Sequence, residues 1–150
     1  MADLRGLFDE LIRFETELWN SIDARLREDA DLPLAWFEVM RVVARRSACR
    51  VFDIAEDLSI TIGGTSKLID RIEAAGHCRR RPNPDDRRSS IIELTASGRR
   101  LLSRATTIFD DQLATRVGSA APARTLEQFH STLNRLRAAN SKVDGTHPSS

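Results

Sequence analysis

The chain has 150 residues, of which 41% are hydrophobic and 30% charged, and a formal net charge of +1. This length suits one compact domain, and the composition is ordinary for a globular cytosolic protein. No apolar run has the length of a membrane span or the form of a signal peptide, and two cysteines are too few to predict a disulfide scaffold.

The charge is distributed unevenly along the chain. Residues 1–40 carry four basic and ten acidic side chains, whereas residues 61–104 carry ten basic and five acidic ones. A composition biased towards arginine could scatter cations anywhere, but it does not explain why they gather in one segment. The excess of basic residues at 61–104 therefore predicts a local anion-binding face.

Apolar residues at three- and four-residue intervals predict an amphipathic first helix from Asp3 to Arg27. So long an apolar stripe is large for a small domain, and we expect it to be buried against something sizeable, such as a second copy of the chain. The stripe consists of Leu4, Leu7, Phe8, Leu11, Leu18, Trp19, Ile22 and Leu26.

Three further helices are predicted in the next part of the chain. DLPLAWFEVMRVVARR forms one, with Pro33 in its first turn, and VFDIAEDLS forms a short one that Asp53 can cap. TIGGTSKLIDRIEAAG forms the third, and Gly76 is expected to end it. Its apolar seam is predicted to comprise Ile62, Thr65, Leu68, Ile69, Ile72 and Ala75.

Two strands are predicted next, near Cys78–Arg81 and Ser90–Leu94, joined by a proline-rich turn. Thr95 can cap a helix that continues to Val117, and a last helix is expected to start at Pro122. The polar end of the chain, NSKVDGTHPSS, has no periodicity and is predicted to be disordered. The fold class is therefore mainly α with a small β-hairpin: six helices, with a helix-turn-helix followed by a two-stranded wing.

The fourth helix has an outward face suited to nucleic acid. With its seam buried, Gly63, Lys67, Asp70 and Ala74 point outward, flanked by Ser66 and Arg71. A small, hydrogen-bonding face of this kind could lie in the major groove, and a glycine lets the backbone come close to a partner. The alternative is that the glycines only mark a frayed helix start.

The hairpin places arginines beside that helix. Its prolines limit the backbone freedom lost on docking, and Arg87 and Arg88 lie at or just past the tip, where a minor groove concentrates negative potential. Asp85 and Asp86 can hold the turn through backbone amides or hold an arginine by a bidentate pair. The alternative is a solvated charged loop.

The stretch KLIDRIEAAGHCRRRPNPDDRRSSIIELTASGRRLL combines three features in a fixed order. A recognition helix ends in Leu/Ile-Glu-x-x-Gly, a wing carries Asp-x-Arg, and Leu-Thr-x-x-Gly opens the next helix. In this pattern the sequence resembles the MarR family of winged helix-turn-helix transcription regulators. The resemblance implies two-fold dimers formed through the first and last helices.

By this resemblance, Arg88 enters the minor groove, Asp86 steadies the wing, and two recognition helices meet successive major grooves. The operator in double-stranded DNA should then be pseudo-palindromic, with half-sites about one turn (~10 bp) apart. The expected DNA-binding residues are Gly63, Thr65, Ser66, Lys67, Arg71, Asp86, Arg87 and Arg88. The chain is predicted to divide into a dimerisation helix at 1–30, a winged helix-turn-helix domain at 31–96, dimerisation helices at 97–139 and a disordered tail at 140–150.

Relatives in this family often bind aromatic anions between the dimer helices and the DNA-binding lobe. Trp19 and Trp36 are candidate walls of such a pocket, although a tryptophan at helical spacing also suits the core or a dimer interface. Cys78, between two cationic residues, could have a lowered thiol pKa that permits oxidation sensing; a buried, inert thiol is the alternative.

Neither a metal-ligand spacing nor a nucleophile or phosphate-loop motif is present, so no enzyme activity, metal or cofactor is expected. The resemblance implies a cytoplasmic homodimer that acts as a sequence-specific repressor and is released by a small-molecule ligand, for which an aromatic or phenolic compound is a candidate. The alternatives are a redox-responsive regulator that uses Cys78 and a sensor that acts through a protein partner.

Overall fold

The computed structural model describes residues 1–145. The predicted fold class is confirmed within this range: the chain forms six α-helices and a small antiparallel sheet, with a helix-turn-helix at α3–α4 and a wing at β2–β3. The helices are α1 (Leu4–Ala30), α2 (Leu34–Arg45), α3 (Val51–Leu58), α4 (Ile62–Ala74), α5 (Ala96–Leu113) and α6 (Ala123–Gly145), and the strands are β1 (Cys49–Arg50), β2 (Cys78–Pro82) and β3 (Ser90–Leu94).

Helix ends follow the capping chemistry of the sequence. The Asp3 carboxylate accepts a hydrogen bond from the Gly6 amide at 3.0 Å, and the Thr61 hydroxyl accepts one from the Gly64 amide at 3.0 Å. Gly76, in the left-handed region at φ 84°, follows α4 as predicted. At the end of α1, however, the helix continues past Arg27, and Asp31 ends it in a left-handed conformation.

The sheet has a third strand that the sequence did not predict. Its order is β1-β3-β2, with Cys49 opposite Ile92 and Cys78 opposite Leu94. Because β1 has only two residues, it carries no alternation that a sequence pattern could reveal. Its pairing joins the start of α3 to the wing.

The chain divides into two compact units, Met1–Asp110 and a second that begins at Asp111. In the first unit, the buried Phe37 ring of α2 packs against Phe109 of α5 with the ring centroids 4.8 Å apart. The Arg41 guanidinium covers both rings, 5.7 and 5.0 Å from their centroids. A guanidinium over an aromatic face is attracted by the charge distribution of the ring, by about 0.5–1 kcal/mol at an exposed site.

The second unit begins within the last turn of α5 and contains a π-helical turn at Ala114–Gly118 followed by α6. The predicted tail begins too early, because residues 140–145 continue α6. A polar segment without proline can extend an existing helix through its backbone hydrogen bonds alone. The rest of the predicted tail lies outside the described residues. None of the helices within 1–145 has both the length and the apolar character of a membrane span.

The turn after α4 and the start of α5 are in direct contact. The Thr95 hydroxyl accepts a hydrogen bond from the Gly98 amide at 3.0 Å and donates one to the Gly76 carbonyl at 2.7 Å, while the Thr95 amide donates to the His77 carbonyl at 3.1 Å. A Cβ atom at Gly98 would overlap the His77 carbonyl oxygen and lie 2.9 Å from its carbon. Glycine is therefore required at 98 by close backbone approach.

We expect Gly98→Ala to lower the free energy of unfolding by at least about 1–3 kcal/mol, because the added methyl group forces α5 away from the 76–77 turn. Urea unfolding followed by circular dichroism measures this change. Gly63→Ala is the matched control: a Cβ there meets nothing within 4 Å, so stability should stay level or rise by up to about 1 kcal/mol. Equal stability of the two variants would contradict the close contact.

Candidate nucleic-acid interface

The α4 helix is oriented as its periodicity predicts. Ile69 and Ile72 are fully buried in the core, whereas Gly63, Lys67 and Arg71 are exposed. Ser66, on the edge of this face, is half-buried. Among the described residues neither Lys67 nor Arg71 forms an ion pair, so both cationic groups are available to an external anion.

Two residues of α4 differ from expectation. Thr65 is 0% exposed, and its hydroxyl donates to the Thr61 carbonyl at 2.8 Å, so its predicted place in the apolar seam is confirmed, whereas its burial argues against the second expectation, that it contacts DNA. Ile62, placed in the seam by its spacing, is 56% exposed. As the first residue of the helix, it extends beyond the core that covers the later turns.

Arg80 on β2 connects the root of the wing to α4. Its guanidinium contacts Asp70 at 2.7 Å and Glu73 at 3.0 Å, and its amide donates to the other Glu73 oxygen at 2.9 Å. Burial lowers the pKa of Arg80, but the hydrogen bond and charge of Asp70, with Glu73, outweigh burial and raise it. The Asp70 carboxylate is 63% exposed on the outward face, where its negative charge would repel phosphates. The positive charge of Arg80 balances it there.

The other two arginines of β2 are also paired. Arg79 and Arg81 lie 3.5 and 3.0 Å from the same Glu93 carboxylate on β3. On an antiparallel pair, opposite charges across the strands stabilise the register. Arg79 and Arg81 therefore join the two strands of the wing, whereas Arg80 joins the wing to α4.

The wing tip is ordered by side-chain to backbone hydrogen bonds. Asp86 accepts from the Arg88 amide at 2.9 Å, and the nearly buried Asn83 accepts from the Asp85 amide at 3.0 Å and donates to the Ser89 hydroxyl at 2.9 Å. Asp86 thus takes the first of the two roles considered for the aspartates, in which a carboxylate holds the turn through a backbone amide.

The guanidinium groups at the wing tip have no carboxylate partner in the part of the chain that the structure describes. Arg87 and Arg88 are both exposed, and neither forms an ion pair among residues 1–145. Their charges are therefore presented to solvent from a turn whose backbone is already ordered. A cation on a turn with an ordered backbone loses less backbone freedom on binding a phosphate than one on a flexible loop.

A second ion-pair cluster joins the end of α2 to α3. Asp57 accepts from Arg46 at 2.6 and 3.1 Å and from Arg45 at 3.2 Å, and Asp53 accepts from the Arg50 guanidinium and amide. The hydrogen bonds from Arg46 and Arg45 lower the pKa of Asp57, and those from Arg50 lower the pKa of Asp53. As predicted, Asp53 caps α3, although it does so from inside the helix.

The thiols do not favour the redox alternative. Cys49 and Cys78 are both buried, and burial, aided by Asp53 near the first and Glu73 near the second, raises the pKa of each to about 11. The imidazole of His77, the residue before Cys78, contacts Ser97, with Nδ1 3.2 Å from the hydroxyl oxygen. A thiol in this environment stays protonated and weakly nucleophilic.

The tryptophans lie apart from the cavities near the wing. A cavity of about 220 Å³ is lined by the end of α2, by β2 and β3 and by Arg99, and one of about 240 Å³ lies beneath the wing turn. Neither is lined by Trp19, which is exposed, or by Trp36, which is half-buried. Their role as pocket walls stays a prediction.

Comparisons with known proteins identify the relatives of this arrangement. Residues 32–90 match the model of the MarR family. An uncharacterised HTH-type transcriptional regulator of Bacillus cereus (strain ATCC 14579) is 30% identical over 111 residues, which are 69% of this chain and 73% of that protein. Two other curated relatives match over 44% and 47% of their own length, so the chain spans about half of those two proteins.

Two solved structures share the fold. Sco3205, a MarR family regulator of Streptomyces coelicolor in complex with DNA, superposes with a TM-score of 0.84 at 22% identity, over 99% of this chain and 91% of that one. CouR of Rhodococcus jostii RHA1, bound to p-coumaroyl-CoA, gives 0.77 at 22% identity, over 89% and 92%. At this identity, the likeness concerns the fold alone.

Arg80→Ala is expected to weaken binding to duplex DNA about fivefold, or about 1 kcal/mol, because it leaves two unpaired carboxylates beside the α4 face. Adding Asp70→Asn to that variant should restore much of the affinity, since the exposed negative charge is removed. Fluorescence anisotropy measures the affinities, and thermal melting provides a parallel stability readout. If the double variant binds no better than Arg80→Ala, Arg80 acts only on the fold.

We expect iodoacetamide at pH 8 to alkylate both cysteines on the order of a hundredfold more slowly in the native protein than in guanidinium, because the raised pKa leaves few thiolates. Mass spectrometry of a labelling time course gives both rates. Rapid labelling of native Cys78 would restore the redox alternative.

Proposed function

The chain belongs to the MarR family of winged helix-turn-helix transcription regulators, and on that premise we propose that it binds a pseudo-palindromic duplex as a homodimer. We further propose that it represses transcription and that a small-molecule ligand releases it. The observation that carries the proposal is the pair of cationic surfaces described above. One is the α4 face with Lys67 and Arg71, and the other is the wing tip with Arg87 and Arg88.

Electrostatics supports the assignment of these surfaces to DNA. The cations that stabilise the wing are matched by carboxylates, whereas the four cations of the two surfaces have no such match within the described residues. Unmatched arginines and lysines on an ordered scaffold bind phosphates and release counterions. The DNA-bound form of Sco3205 shows that a protein with this fold can bind a duplex.

The dimer is supported by the exposed half of α1. The stripe of α1 is buried only towards its C-terminal end, at Ile22 and Leu26. Towards the N-terminus, several large apolar side chains of α1 remain exposed, which is typical of an interaction surface. These side chains are Leu4, Leu7, Phe8, Ile12, Phe14 and Trp19. On α6, Phe129 and Leu136 are exposed in the same way.

The ligand that we propose is an aromatic anion. CouR shows that this fold can hold an aromatic acyl thioester, and the exposed indole of Trp19 offers a flat apolar wall to an aromatic ligand. An aromatic anion is therefore the class to test first, with Trp19 and Trp36 as the candidate contacts.

We expect Arg88→Ala to weaken operator binding about tenfold and to reduce the slope of log Kd against log salt by about one, because one phosphate-binding cation is removed. The operator is first obtained by selection from a random duplex pool, and Kd is then measured by gel shift at several salt concentrations. Light scattering verifies that the variant keeps the oligomeric state of the parent.

Arg124→Ala is the matched control, since it removes the same charge from an exposed position on α6. Its Kd and salt slope should equal those of the parent. Equal losses of affinity in both variants would mean that the affinity depends only on the net charge of the protein. No binding to any duplex at low salt would refute the proposed function.

A further inference from the structure

The first turn of α4 presents a single large side chain. Ile62 is 56% exposed, and the two residues after it are glycines. Apolar surface left in water at this position contributes nothing to the core, since the seam of α4 is already filled by Thr65, Ile69 and Ile72. Its burial would be favourable only against an external partner.

The backbone around Ile62 is both ordered and accessible. Thr61 caps the helix through the Gly64 amide, which fixes the direction of the first turn. A Cβ atom at Gly63 would meet nothing within 4 Å, so the helix is narrow and open on its outward face. A partner can thus come close to the backbone and reach the neighbouring isoleucine.

The chemistry of the major groove identifies that partner. Base edges there present hydrogen-bond donors and acceptors, and the one apolar group is the 5-methyl of thymine. The N-terminal part of a recognition helix is the part that meets base edges. An isoleucine side chain cannot read a donor or acceptor, but it can pack on a methyl group, and its β-branch keeps it in one rotamer on a helix.

We propose that Ile62 is a specificity-determining residue that contacts the 5-methyl group of a thymine in each half-site. The inference rests on the proposed function, since it requires α4 to enter the major groove. It assigns base discrimination to a helix turn in which Ile62 is followed by two glycines and the buried Thr65, so that no polar side chain is exposed there after the capping Thr61. The hydrogen-bonding groups of Ser66, Lys67 and Arg71 remain available for other bases or for phosphates.

Deoxyuridine tests the contact, because it differs from thymidine only by the missing methyl group. In the selected operator, each thymine and its symmetry mate are replaced in turn by deoxyuridine, and Kd is measured by fluorescence anisotropy at one salt concentration. For the parent protein, one symmetric replacement should weaken binding about three- to tenfold, because Ile62 then has no methyl group to pack on in either half-site. Ile62→Ala should bind the thymine and deoxyuridine duplexes equally.

Ile60→Ala is the matched control. Ile60 lies in the turn before α4 and is 40% exposed, so its substitution removes apolar surface of a similar kind from a neighbouring position. Its backbone amide donates to the Ala55 carbonyl, and this hydrogen bond is kept in the variant. This variant should keep the parent's sensitivity to deoxyuridine. Thermal melting of both variants should show little change, since neither side chain is buried.

The outcomes separate the inference from the function on which it rests. If the parent binds the operator but is indifferent to every deoxyuridine, or if Ile62→Ala keeps the sensitivity, the thymine contact is refuted and DNA binding stands. A selected half-site without thymine also refutes it. If the parent binds no duplex, the proposed function itself fails.

Discussion

The position of the recognition helix depends on a close backbone contact at its exit. The His77 carbonyl lies so near Gly98 that no side chain fits, and the Thr95 hydroxyl joins Gly76 to the first turn of α5. Because α5 in turn packs through Phe109 onto α2, this contact ties the orientation of α4 to the core of the first unit. The Leu-Thr-x-x-Gly motif therefore has a structural explanation that is independent of any ligand.

Arginines in the wing have two different uses, and their partners separate them. Those on β2 are held by Glu93, Asp70 and Glu73, so they stabilise the strand pair and its attachment to α4. Those at the tip follow a turn that Asn83 and Asp86 order through backbone amides. The same residue type is thus structural where an acid lies opposite and available for an anion where none does.

The apolar stripe of α1 also has two uses along its length. Near the C-terminal end it enters the core at Ile22 and Leu26, whereas in the N-terminal half it is exposed. A continuous stripe at helical spacing indicates which side of a helix is apolar, but not what covers it. In this chain the core of the first unit covers only the last turns, which leaves the rest for the proposed second copy.

Sequence patterns alone determined the six helices, the wing, the outward face of α4 and the capping roles of Asp53, Gly76 and Thr95, because each depends on periodicity or on local chemistry. They did not determine β1, which is too short for a pattern, or the exposure of Ile62, since spacing gives a direction on the helix and not the extent of the core beside it. The ion pairs of Arg80 and the contact at Gly98 were likewise decided by tertiary structure. Each brings together residues from different elements, and only the packed fold sets the distance between them.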